Sequence, residues 1–242
     1  MQVVMLALAS HSLFAQTHAV AVPFVGCPSE GQLGPEEAPK GTSVSVATSR
    51  EGVLQLAYYS FLPPTGVLAP RGWHCFGILG SGGGTLFITP ELIDYPAAVA
   101  IIQSRLAGNA VVFNSTYGGG SGSDRVARVI ARVFPKYKWF VNGVRKGYDL
   151  PSEVFPSGPY PADKLVYRSP RLVEFRTPAH ADGLGTDSWF KQGDEPINGV
   201  AILVGDDPDL RMLSVRLPPG LTNLTTTIVH QMELDAKRSP RK

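Results

Sequence analysis

Apolar and polar positions alternate with a changing period along this chain, and the changes predict its elements. Residues 42–48 alternate, with Val44 and Val46 on one face, as in a half-buried strand. Ser49-Arg50-Glu51 opens a helix that carries Leu54, Leu56, Ala57, Tyr58 and Phe61 and stops at Pro63-Pro64. Strand 73–79, the glycine turn 80–84 and the return strand 85–89 read as a hairpin. Residues 90–106 are helical in part, broken near Pro96, and 109–113 form a strand. The clearest helix covers 123–134, where Val126, Val129, Ile130 and Val133 make one apolar face. Arg125, Arg128 and Arg132 line another stripe of it, either a solvated face or a place for an anion. A proline-rich connection at 151–161 is a possible subdomain boundary. Strands follow at 164–167, 172–176, 199–204 and 210–217, and a helix closes the chain at 221–236. No internal repeat is visible. Strands mixed with helices, without a regular βαβ beat, predict an α+β fold. It is expected as a single domain over 22–236, with a mainly antiparallel or mixed sheet packed by helices.

The N-terminal pattern differs in kind. Residues 1–21 are apolar and almost uncharged, too short a run for a membrane-spanning helix of about 20 apolar residues. Thr17-His18-Ala19 and Ala19-Val20-Ala21 fit small-x-small cleavage, so a signal peptide over 1–21 is expected, although no Lys or Arg precedes the run. The competing account is a buried N-terminal helix. The expected mature chain is secreted or periplasmic, without a transmembrane helix. Cys27 and Cys75 are the only cysteines. In an oxidising compartment they pair as a disulfide, closing a loop of roughly 50 residues. Alternatively, Phe24-Val25-Gly26-Cys27 approximates a bacterial lipid-attachment box and Cys27 carries a lipid anchor; Phe24 stands where Leu is usual, and Pro23 interrupts the apolar run.

Composition narrows the partners. Apolar content of 43% and charged content of 17% are those of a globular protein, and the net charge of +2 gives no case for nucleic acid. The basic cluster at 237–242 reads as a solvated tail. Five histidines and two cysteines show no metal-ligand spacing, so no metal and no cofactor is expected. The partner is a small-molecule substrate or an envelope protein.

Three places carry candidate chemistry. Gly118–Gly122 leads from a strand into the 123–134 helix, whose N-terminus favours anions. Ser121 there approximates a nucleophile elbow but misses the full G-x-S-x-G pattern. In the plainer account the glycines form a turn and Ser123 or Asp124 caps the helix. His74, in Gly72-Trp73-His74-Cys75-Phe76, is fixed beside a cysteine and is a candidate general base; a half-buried strand histidine is the alternative. Residues 177–198 form a long polar stretch with His180, Asp182, Asp187, Ser188 and Trp189, either a binding loop or a surface loop of turn formers. Asp182 and Asp187 do not fit an EF-hand spacing. Asn114-Ser115-Thr116 and Asn223-Leu224-Thr225 are glycosylation acceptors only in a eukaryotic source.

Taken together, VPFVGC at 22–27, GVLAPRGWHCFG at 66–77, VARVIARVFP at 126–135, GPYPADK at 158–164 and GLGTDS at 183–188 are distinctive. On these motifs the chain resembles a group of uncharacterised exported proteins of soil-type bacteria, over most of 22–236. The resemblance implies bacterial export and a single unit, and counts against glycosylation; it carries no catalytic residue across. Two functions are therefore expected in parallel. One is a hydrolase of small carboxylic esters, with Ser121 as nucleophile, His74 as base, Asp187 or Asp124 orienting it, and the helix N-terminus stabilising an oxyanion. The other is a non-enzymatic envelope protein that binds through the 177–198 loop.

Overall fold

A computed structural model of the protein describes residues 18–32, 34–48 and 50–238. The fold is α+β, with two mixed sheets and helices in a single domain. The larger sheet has eight strands in the order β2-β6-β7-β8-β12-β11-β10-β9. These are β2 (Ser29–Gly31), β6 (His74–Gly80), β7 (Gly83–Thr89), β8 (Ala110–Thr116), β9 (Lys164–Ser169), β10 (Leu172–Thr177), β11 (Ile197–Val204) and β12 (Asp209–Arg216). Every neighbouring pair is antiparallel except β2 and β6. The smaller sheet has the order β3-β1-β4-β5, from β1 (His18–Gly26), β3 (Ser43–Thr48), β4 (Leu56–Leu62) and β5 (Thr65–Pro70). The helices are α1 (Arg50–Gln55), α2 (Tyr95–Ser104), α3 (Ser123–Val133), α4 (Lys138–Gly147) and α5 (Thr225–Arg238).

Strand side chains alternate between faces, and the central strands of the large sheet are apolar at both parities. On one face Leu86, Ile88, Val111, Phe113, Leu213 and Val215 pack with the small sheet's Leu56, Tyr59 and Leu68 and with Ile228 and Met232 of α5. On the other, Phe87, Val112, Met212 and Val173 pack with Val126, Ile130 and Val133 of α3 and Phe140, Val141 and Val144 of α4. The result is three layers around two cores.

Cys27 lies where the chain leaves β1 of the small sheet for β2 of the large one, and is bonded to Cys75 of β6 across 48 residues. The two α-carbons are 5.4 Å apart, within the ordinary range. Cys27 is fully buried, which leaves no thiol for a lipid and overturns the lipid-anchor alternative. The expected signal peptide lies mostly in residues 1–17, outside those described. His18 to Ala21 belong to β1, paired with β3, so the expected boundary at 21 falls inside a strand. No helix among the described residues is long and apolar enough to cross a membrane.

Other sequence expectations need correction. The helix expected from 49 to 61 stops at Gln55, and β4 begins at Leu56. β4 lies between β1 and β5, so its run of apolar residues is buried on both faces, and such a run carries no periodicity to distinguish strand from helix. β5 and α4 were not expected. Pro96 does not break α2 but sits in its first turn, after Asp94, whose side chain accepts from the Ala97 amide at 3.0 Å. The 151–161 connection does not divide the domain, because Phe155 is buried and the Gly158 amide donates to Ala131 of α3 at 2.9 Å.

Two predictions follow from this packing. Replacing both cysteines by serine frees the unfolded chain, and urea denaturation is expected to show a loss of about 2–4 kcal/mol. Tyr59 is fully buried and its hydroxyl donates to the Pro70 carbonyl at 2.8 Å. Burial pushes its phenol up to about 12, against the Trp73 and Gly72 backbone and the Arg71 charge. Unfolded tyrosine titrates near 10. Stability from this group is therefore complete below pH 10 and lost between pH 10 and 12. Tyr59→Phe should flatten the alkaline fall in stability by up to about 1.4 kcal/mol per pH unit.

Candidate functional site

The two glycine-rich turns come together. The Gly82 carbonyl accepts from the Tyr117 amide at 2.9 Å, and Gly83, at φ 131°, lies against the Ser115 backbone where a Cβ would strike the carbonyl. This approach brings Ser81 Oγ to 2.9 Å from Ser121 Oγ on the surface. His74 is elsewhere. It begins β6, opposite Thr89, while Ser81 follows the far end of that strand. Six residues of strand separate the two ends, roughly 20 Å. Ser121 thus has a hydroxyl neighbour and His74 is out of its reach, so the expected nucleophile–base pair is not assembled. Asp124 is bound to Arg128 one turn on, at 2.8 Å. Asp187 is exposed beside Tyr160 and the Arg125 guanidinium. Neither carboxylate orients His74. Nor does Ser123 or Asp124 cap α3: Gly122 holds the cap position, and the Ser123 hydroxyl donates to the Gly120 carbonyl at 2.8 Å.

The 177–198 segment is fastened down rather than open. Asp163 Oδ1 accepts from Thr177 Oγ1 at 2.7 Å, and its Oδ2 accepts from the Leu184 amide at 2.8 Å. A Cβ at Gly183 would strike that Asp163 carboxylate. Burial raises the Asp163 carboxyl, against its hydrogen bonds to Thr177 and Leu184. Arginines complete the attachment. Arg125 Nη2 donates to Ser188 Oγ at 2.7 Å while the guanidinium lies 4.8 Å over the Trp189 ring. Arg105 donates to the Thr186 carbonyl at 2.7 Å. Burial pushes Arg125 down to about 10, opposed by the charge of Asp187. The cavity beside Arg125 measures about 20 Å³, room for one water. Leu184 and Phe190 are fully buried, and Trp189 meets Phe87 edge-on at 5.6 Å. Ser188 and Trp189 are therefore packing residues. His180 and Asp182 sit on the rim, His180 Nε2 at 3.4 Å from Asp194 and Asp182 accepting from Gln192 at 2.9 Å. Among the described residues no three His, Cys, Asp or Glu side chains converge as metal ligands would.

Two grooves were not anticipated. The first, about 410 Å³, runs between α3, α4 and the 152–159 connection. Its floor includes Ile130, Val141 and Phe155; its walls carry Arg132, Lys138 and Arg145, and no Asp or Glu among the described residues lines it. Arg132 is held 4.0 Å over the Tyr160 ring and donates to the Gly158 carbonyl at 3.3 Å. The Arg145 Nε is buried and has no hydrogen-bond partner among the described residues. The surrounding stretch, 123–148, has seven basic residues (125, 128, 132, 136, 138, 145, 146) against one acid (124), a net +6 in a chain of net +2. The sequence displayed half of this face as the arginine stripe. The other half belongs to α4, which was not foreseen.

The second groove, about 320 Å³, lies between α5 and strands β9 to β11. Glu174 and Glu233 hydrogen-bond to each other there, with Arg168 paired to Glu174 and His230 Nδ1 3.8 Å from Glu233. Burial pushes the Glu174 carboxyl up, but the hydrogen bonds from Arg168 and Glu233 and the charges of Arg168 and His230 outweigh it and hold it below its ordinary value. Glu174 and Glu233 come from a strand and a helix far apart in sequence, and no local pattern joins them.

If the 177–198 segment is a packed cover, Asp163→Ala should cost about 2–3 kcal/mol in urea denaturation, because it orphans a buried amide and hydroxyl. Asp182→Ala on the rim should stay within about 0.5 kcal/mol. Equal effects would contradict the assignment. The protein is also expected to form no stoichiometric adduct at Ser121 with a fluorophosphonate probe, as peptide mass mapping would show.

In comparison with known proteins the chain matches no family model, no curated protein and no solved structure. No residue role reaches it from a relative.

Proposed function

We propose that this is an exported, non-enzymatic protein that binds a small anionic amphiphile in the groove between α3 and α4. The observation that carries this is the pairing of three cationic side chains with an apolar floor, in a groove that, among the described residues, has no lining carboxylate and holds a buried Arg145 Nε without a hydrogen-bond partner. A phosphate or carboxylate head accepts charge-assisted hydrogen bonds from Arg132 and Arg145, which guanidinium geometry favours over ammonium. Lys138 adds a mobile charge at the mouth. The apolar tail covers Ile130, Val141 and Phe155, and gains about 25 cal/mol for each Å² it removes from water. Arg132 is already oriented by Tyr160 and Gly158, so little side-chain freedom is lost on binding. Export is supported by the disulfide, which persists in oxidising compartments. The ester-hydrolase alternative gains no support from the distance between Ser121 and His74. The site of the binding-protein alternative moves from the 177–198 loop to the helices.

Decyl phosphate is expected to raise the melting temperature and to bind in calorimetric titration, and decanol to do neither. Arg145→Met, which keeps the apolar stem, should weaken binding at least tenfold without a change in the ligand-free melting temperature. Equal binding of decanol, or an unchanged affinity in Arg145→Met, would overturn the proposal.

A further inference from the structure

Among the described residues the large sheet ends in β9, which pairs with β10 on one side only. Five of its six residues are exposed, among them Val166 at 45% and Tyr167 at 52%. A free edge offers backbone donors and acceptors to any extended chain, and proteins ordinarily blunt it. Here the side chains that border it are basic. Lys164, Val166 and Arg168 share the face toward α5, where they line the second groove. Arg176 of β10 stands directly opposite Lys164 in register. Like charges facing each other across a ladder are destabilising. Neither Lys164 nor Arg176 has an ion-pair partner among the described residues, whereas Arg168 is paired with Glu174.

We propose that the free edge of β9 receives an extended segment of another polypeptide, with acidic residues placed opposite Lys164 and Arg168 and a β-branched residue between them. Antiparallel addition brings opposing side chains to about 4.5–5.5 Å. An acid opposite Lys164 therefore relieves the charge that Arg176 leaves unbalanced. A second copy of this chain is the wrong occupant. Self-pairing centred on Val166 would set Lys164 of each copy against Arg168 of the other, cation against cation. Main-chain hydrogen bonds supply affinity in this mode and alternate side chains supply specificity. β9 reaches the anion groove only through Tyr167, on the opposite face from Lys164 and Arg168, which do not line it, so either assignment can fail alone.

The test uses the whole protein and a capped peptide, Thr-Glu-Thr-Val-Thr-Glu-Thr, followed by fluorescence anisotropy. The peptide should bind, and its counterpart with Lys for Glu should bind at least tenfold more weakly. N-methylation of one alternate set of peptide amides should abolish binding, and methylation of the other set should leave it. Lys164→Glu, at an exposed position, should lower affinity for the acidic peptide at least tenfold and raise it for the basic one. Arg145→Met should leave both unchanged. Absence of binding, indifference to which set is methylated, or dimerisation of the peptide-free protein through β9 would overturn the proposal.

Discussion

The large sheet is apolar on both faces, and this constraint determines what surrounds it. Val112 and Phe113 are neighbours in β8 and point into opposite cores; Met212 and Leu213 do the same in β12. A sheet of this kind cannot leave either face in water. One face is closed by the small sheet and α5, the other by α2 to α4 and the cover formed by 177–198. The disulfide stands where the chain passes from the small sheet to the large one, so it ties the covering layer to the layer it covers.

Because both cores are apolar, charged groups have two possible stations, and the arginines divide between them. Arg125 and Arg216 are fasteners. Each lies over an aromatic ring, Trp189 and Phe190 respectively, and donates to groups of the covering segment or its neighbours. Burial lowers the Arg216 guanidinium as it does that of Arg125. Arg145 and Lys138 are different, since no hydrogen bond or ion pair with another described residue occupies them and both face an open groove. The same residue type thus holds the fold in one place and is available to a ligand in another. The distinction is read from partners and free volume, not from charge.

The hairpin of β6 and β7, the apolar face of α3 and the strands from β9 to β12 were legible because each carries a local period. So was the pairing of Cys27 with Cys75, as one of two alternatives. β4 was not legible. A strand buried on both faces loses the alternation that would identify it, and Leu56 to Phe61 read equally well as helix. α4 buries Phe140, Val141 and Val144 in only ten residues, and without it the basic face appeared as three arginines instead of a groove wall. The Ser121–His74 pairing was plausible because 47 residues of chain permit contact. The structure places His74 at one end of β6 and Ser121 beside Ser81, past the other. Asp163, which fastens the cover, gave no signal because both of its partners are distant in sequence.

The most direct measurement of the central claim is a 1H–15N spectrum of the arginine Nε–H groups during titration with decyl phosphate. The Arg145 and Arg132 resonances are expected to shift together and saturate with one ligand, while those of Arg125 and Arg216 stay in place. Shifts confined to Arg125, or to amides around Ser81 and Ser121, with Arg145 unmoved, would contradict the claim.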